Sequence, residues 1–147
     1  ERARHHLERA IEMNPLAEET YRVLGLTLAL EGRLDEAERV LREAVTMEGS
    51  GTYTQSTLAY VLARAGRADE ARTILAALER ERRTGYVSPV SLATIHLGLG
   101  ETAPALDWMQ RALDERRGWV AYLRVNPIFD PVRGEPRFEA LCEAMKL

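Results

Sequence analysis

The chain has 147 residues, of which 46% are hydrophobic, 29% charged and only 6% aromatic, a mixture that favours helix over sheet in a single domain. Its formal net charge of -3 provides no overall positive field for a polyanion, so nucleic acid is not an expected partner. The longest apolar run, residues 23–30, is too short to insert across a membrane, and the single Cys142 excludes an intramolecular disulfide.

In chain order, apolar residues at helical spacing predict a series of helices followed by a tail of different composition. Gly32, Gly66 and Gly100 mark helix ends, because glycine adopts positive φ without penalty. Asp35 and Asp69 are expected to open the next helices, as caps or first-turn acids. The chain begins with Glu inside helical sequence, which suggests a piece of a longer protein. The predicted helices span residues 2–13, 18–31, 35–47, 52–65, 69–83, 87–99 and 103–116.

A period of 34 residues runs through the chain, and the three helix-ending glycines follow it. The same step separates members of three further columns, one of leucine, one of small residues and one of alanine. A fixed period of this length indicates one structural unit stacked several times. The members of these columns are Leu24, Leu58 and Leu92; Gly25, Ala59 and Ala93; and Ala37, Ala71 and Ala105.

This spacing and these residue types resemble the tetratricopeptide repeat (TPR). The resemblance implies an all-α fold, a right-handed α-α superhelix (TPR solenoid) of antiparallel helix pairs with a C-terminal capping helix. In this interpretation residues 1–147 form one domain. Residues 1–17 hold the second helix of a truncated repeat, residues 18–51, 52–85 and 86–119 are repeats, and residues 120–147 form the cap. The best copy of the pattern consists of Tyr21, Leu24, Gly25, Leu28, Gly32, Ala37, Leu41 and Ala44.

The first predicted helix lacks its usual partner. Its apolar face, formed by Leu7, Ala10 and Ile11, would normally lie against the first helix of its own repeat. We therefore expect a neighbouring copy of the chain to shield this face, which makes a homodimer through the N-terminal helix possible.

The period stops at residue 119, and the tail differs in composition. Pro127 cannot continue a helix, and Pro136 marks the start of a last one. Phe138, Leu141, Cys142 and Met145 fall on one face of that last helix, as in an element that closes a solenoid. Phe129 and Phe138 are expected to plug the last helix pair.

The tail also resembles the closing segment of bacterial multidomain signalling proteins. In those proteins a tetratricopeptide array follows a serine/threonine kinase, a nucleotide cyclase or a winged-helix DNA-binding domain. The resemblance implies that this chain is the C-terminal module of a larger regulatory protein. The expected location is cytoplasmic, or extracytoplasmic if a membrane segment precedes the array. The residues that carry it are Tyr122, Leu123, Pro127, Phe129, Asp130, Pro131, Arg133, Pro136, Arg137, Phe138 and Leu141.

No residue pattern points to catalysis, a cofactor or a metal. His5 and His6 are adjacent on a helix and point about 100° apart, which suits a solvated pair better than a shared ion. His96 occupies a column that is leucine elsewhere, so a partly buried packing role is expected. Cys142 lies mid-helix among apolar residues, where an inert thiol is usual. The tail charges Asp130, Arg133, Glu135 and Arg137 either bind a ligand or pair with one another, and pairing is favoured.

The resemblance implies a concave surface, formed by the first helix of each pair, that commonly holds a protein or peptide. This predicts a non-catalytic interaction scaffold, and Tyr53 and Tyr60 are its expected anchors. Paired Lys and Asn, which grip C-terminal carboxylates in some members, do not occur in these columns. Three alternatives stay open: an assembly element that uses the N-terminal edge, a groove that binds nothing in particular, and an enzyme with its site in the tail, for which the charged loop is the only support. The candidate partner-binding residues are Glu19, Arg22, Leu26, Tyr53, Ser56, Tyr60, Val90 and Thr94.

Overall fold

The structure, a computed structural model, describes residues 2–115 and 123–145. Over these residues it is all helical, with no strand, which confirms the predicted class. The helices are α1 (Arg2–Met13), α2 (Glu18–Leu30), α3 (Leu34–Val45), α4 (Thr52–Arg64), α5 (Ala68–Glu81), α6 (Pro89–Gly98), α7 (Thr102–Asp114), a 3-10 helix (Pro127–Val132) and α8 (Pro136–Ala144).

The helix boundaries differ slightly from the predicted ones. α6 begins at Pro89 rather than residue 87, because the Ser88 side chain accepts a hydrogen bond from the Val90 N–H at 3.4 Å and proline suits the first helical position. Asp35 and Asp69 lie in the first turns of α3 and α5, where acids favour the positive helix end, and neither is the N-cap residue. Residue 116 of the predicted seventh helix lies outside the described residues.

The turn between the two helices of each pair has the same geometry three times. Gly32, Gly66 and Gly100 have φ of 81°, 82° and 74°. At the first turn, the Gly32 N–H donates to the Ala29 carbonyl, and the Arg33 N–H donates to the Leu28 carbonyl. The same two bonds recur 34 and 68 residues later in the chain, and they satisfy carbonyls that a helix end leaves unpaired. The glycine column is therefore required by backbone geometry.

Close packing explains the small-residue columns. α2 packs on α3, α4 on α5 and α6 on α7, and α4 also contacts α6. A Cβ atom added at Gly25 would lie 2.4 Å from Leu41 Cγ, so only glycine fits there without movement. Ala37, Ala71 and Ala105 are completely buried. Side-chain size in these columns is thus set by the distance between helices.

α1 packs against α2 within the same chain. Leu7 and Ile11 are partly buried against the core, so part of the open face is covered without a second copy. Homodimerisation through this helix stays a prediction.

The tail packs on the last helix pair. The 3-10 helix contacts α6, and α8 contacts α7. Arg133 pairs with Asp130 at 3.0 Å, as expected of the tail charges, whereas Arg137 donates to Asp107 of α7 at 2.6 Å. The second ion pair ties the start of α8 to the preceding pair. Residues 116–122, which include the first residues of the predicted cap, lie outside the described part of the chain.

Candidate binding groove

A cavity of about 530 Å³ lies between the first helices of the three pairs and the tail. α2, α4 and α6 supply its walls, and the 3-10 helix with the residue before it supplies the remainder. The lining residues are Glu19, Arg22, Leu26, Tyr53, Ser56, Thr57, Val90, Thr94, Asn126, Ile128 and Phe129.

The cavity brings together all of the predicted partner-binding residues except Tyr60. Tyr60 is 4% exposed, and its hydroxyl accepts a hydrogen bond from Arg64 at 3.1 Å. α6 approaches α4 closely beside it: a Cβ atom added at Gly98 would lie 2.9 Å from Tyr60 Cα. In this fold Tyr60 is a packing residue between two helices, while Tyr53 is 43% exposed at the groove.

The tail contributes lining residues that the repeat columns did not include. Asn126 Oδ1 accepts a hydrogen bond from the Ile128 N–H at 3.1 Å, which starts the 3-10 helix. That turn places Ile128 and Phe129 at the groove, with 4% and 1% of their surface exposed. The sequence signal for such a turn was the Asn126–Pro127 pair, but nothing local indicated which surface it would face.

An ion pair defines the charged end of the groove. The Arg22 guanidinium donates through Nε to Glu19 Oε2 at 2.9 Å and through a second nitrogen to Oε1. The Arg22 side chain is 22% exposed and the Glu19 side chain 67%. Nearby, burial raises the pKa of Glu18, the negative charge of Glu19 raises it further, and Arg22 opposes both. Glu18 accepts a hydrogen bond from the Thr54 hydroxyl.

Hydroxyl groups line the middle of the groove. Ser56 and Thr57 donate to the Tyr53 carbonyl at 2.9 and 2.8 Å, so their protons are engaged by the helix backbone. Both residues are almost completely buried, so they form part of the groove wall. Leu26 and Val90 add apolar surface. The arrangement therefore offers hydrogen bonding and apolar contact.

Two family models, each described as Tetratricopeptide repeat, match residues 1–51 and 28–88. The three identical glycine turns continue the same architecture to α7. This chain belongs to the tetratricopeptide repeat family. No curated protein and no solved structure matches it.

Membership of the tetratricopeptide repeat family indicates the general role of such a chain. Such repeats generally mediate protein–protein interaction or scaffolding and are typically non-catalytic. In this tetratricopeptide chain the groove lies on the first helices of the pairs and is extended by the tail.

The remaining chemical groups of the tetratricopeptide chain lie elsewhere. Cys142 is completely buried, and burial raises the pKa of its thiol. His96 is 8% exposed, and its Nδ1 lies 2.6 Å from Glu101 Oε2, a packing position with one polar partner. The described residues contain no group of three or more His, Cys, Asp or Glu side chains placed to hold a metal ion. Nor does any helix within residues 2–115 and 123–145 have the length and apolar character to cross a membrane.

Proposed function

We propose that this chain is a non-catalytic module that binds one segment of a partner protein in the groove. The observation that carries the proposal is the single cavity in which the three first helices and the tail converge. Its volume of about 530 Å³ admits a few side chains of an extended segment. We further propose that the module serves a larger bacterial regulatory protein, which the sequence upstream of Glu1 would test.

The lining suggests how a segment would be held. The Glu19 carboxylate, with 67% of its side chain exposed, can accept from N–H groups of the segment, and Leu26 and Val90 favour an apolar side chain. Tyr53 provides a large contact area with few rotatable bonds, which limits the entropy lost on binding.

Selection of displayed random peptides on the wild-type chain, followed by affinity measurement, tests the groove. We expect Tyr53→Ala and Leu26→Ala each to weaken the selected peptides by about tenfold. Tyr86→Ala is the matched control, since Tyr86 is 53% exposed and does not line the cavity. Peptides that bind wild type and both groove variants equally would rule out the groove as the site.

A second candidate function is assembly through the N-terminal edge. Met13 and Leu16, both at the turn between α1 and α2, are 83% and 86% exposed and add apolar surface at this edge. Light scattering over a range of concentrations tests this function. A Met13→Ser, Leu16→Ser variant should then remain monomeric where wild type associates, and a monomeric wild type at every concentration would eliminate it.

A further inference from the structure

A second cavity, of about 380 Å³, lies on the surface formed by α5 and α7, away from the groove residues. Its lining residues come from the end of α5, the turn that follows it and the middle of α7. We call this surface the arginine–tryptophan site, and its members are Glu79, Arg82, Arg83, Trp108 and Arg111.

Two of the three guanidinium groups of this site, those of Arg82 and Arg111, are held by contacts within the chain. Arg82 Cζ lies 5.4 Å and Arg111 Cζ 4.5 Å from the centroid of the Trp108 ring, within the range of cation–π attraction. Arg82 also donates to the Val87 carbonyl and to Glu115. Side chains that are held before a ligand arrives lose less conformational entropy on binding.

The site carries a small net positive charge, since its three arginines face two carboxylates, Glu79 in the lining and Glu115 beside it. Arg82 has Glu115 as a counter-charge, but neither Arg83 nor Arg111 forms an ion pair with any carboxylate in the described residues. Arg42 and Arg67, by contrast, both pair with Glu70. Two unpaired guanidinium groups beside a cavity are donors without an acceptor.

The repeat itself does not require this arrangement. The corresponding positions one period earlier, at the junction of the first two helix pairs, contain no arginine and no aromatic residue. At that junction α3 nevertheless packs against α4, as α5 packs against α6 one period later. The arginine–tryptophan site is therefore additional to what holds the solenoid together. The earlier positions are occupied by Val45, Glu48, Gly49, Ile74 and Ala77.

We propose that the arginine–tryptophan site binds an acidic segment of a partner protein, independently of the groove. Arginine recognises carboxylates through two parallel hydrogen bonds, and Arg83 and Arg111 have their donors available for such bonds. The positive charge is confined to a local patch on a chain whose net charge is -3, so a short acidic segment suits it in length. Nucleic acid fits less well, because a chain with a net charge of -3 has no extended positive surface for a long polyanion.

Fluorescein-labelled hexaglutamate, titrated with the full chain at low ionic strength, tests the proposal by anisotropy. The expected result is saturable binding that weakens with salt, and an Arg83→Ala, Arg111→Ala variant that binds about tenfold more weakly, equivalent to about 1.4 kcal/mol. An Arg83→Lys, Arg111→Lys variant keeps the charge but loses the planar fork and should fall between the two.

An Arg9→Ala, Arg39→Ala variant is the matched control, because it removes the same charge from exposed arginines outside the site. Circular dichroism verifies that the variants are folded. Equal binding by wild type and the Arg83→Ala, Arg111→Ala variant, an equal loss in the control, or no binding by wild type would each overturn the proposal. Tighter binding of a labelled DNA duplex that depends on Arg83 and Arg111 would overturn it in favour of nucleic acid.

Discussion

The rings of Phe129 and Phe138 stack with their centroids 6.5 Å apart and their planes at 25°. Both side chains are 1% exposed, and Phe129 also lines the groove. Phe138 belongs to α8, which contributes no lining residue. The last helix therefore supports the groove through one buried aromatic contact, as well as covering the end of the stack.

Phe138→Ala should destabilise the tail and weaken binding in the groove. Removing a buried phenylalanine side chain costs about 3–5 kcal/mol, and the stacked partner of Phe129 is lost with it. Urea unfolding measures the stability, and the affinity of a groove-selected peptide measures the second effect. Phe138→Leu, which retains apolar volume, should show a smaller loss of both. Unchanged peptide affinity in a folded Phe138→Ala chain would show that α8 does not support the groove.

Gly25→Ala should destabilise the first helix pair, although alanine is the better helix former. The added Cβ would lie 2.4 Å from Leu41 Cγ, and such overpacking costs about 1–3 kcal/mol, against a propensity gain of about 1 kcal/mol. The net expectation is a modest loss, measured by urea unfolding. If the clash with Leu41 is the cause, Leu41→Ala should cost less in the Gly25→Ala background than in wild type. Additive effects in the double-mutant cycle would place the strain elsewhere.

Truncation should destabilise the chain much more at Tyr60 than at Tyr53. Tyr60→Ala empties a buried site between α4 and α6 and should cost about 3–5 kcal/mol of unfolding free energy. Tyr60→Phe removes only the hydrogen bond from Arg64, a loss of about 1 kcal/mol. Tyr53→Ala should cost less than about 1 kcal/mol, because the residue is 43% exposed. Thermal or urea unfolding measures these losses of stability. Similar losses at both tyrosines would contradict the assignment of Tyr60 to packing and Tyr53 to the groove.

The contrast between these two tyrosines shows where sequence reasoning stopped. They lie about two helical turns apart on α4 and hence near one face, so periodicity could not distinguish them. The difference arises from α6, which passes close to Tyr60 at Gly98, whereas Tyr53 stays partly exposed to solvent. Helix positions and turn geometry were predictable because Gly32 and its equivalents act locally.

The tail illustrates the same limit over a longer distance. The end of the period, together with Pro127 and Pro136, predicted a closing element from local chemistry. The placement of Ile128 and Phe129 at the groove depends on how three helix pairs stack, which no local pattern encodes. The partner of Arg137 depends on the same stacking, since it pairs with Asp107 of α7 instead of a charge in the tail.

Stability should fall as the pH drops below about 4.5, the ordinary pKa of glutamate. Burial alone would raise the pKa of Glu38, but hydrogen bonds from Arg42 and Arg67 outweigh it and hold that pKa lower. A hydrogen bond from Arg72 lowers the pKa of Glu101. A carboxyl with a lowered folded pKa binds its proton more weakly in the folded state. Its stabilising effect is therefore present above the unfolded pKa and is lost as pH falls through the folded pKa.

Urea midpoints measured from pH 7 downwards test this sign. A Glu38→Gln, Glu101→Gln variant should be less stable at pH 7 and should lose less stability on acidification, because both titrating groups are gone. Glu18 acts in the opposite direction: burial raises its pKa, so protonation relieves a penalty in the folded state. Glu18→Gln should consequently make the acid loss steeper. A wild-type midpoint that rises below pH 4.5, or identical profiles in all three chains, would show that these ion pairs do not set the acid sensitivity of the fold.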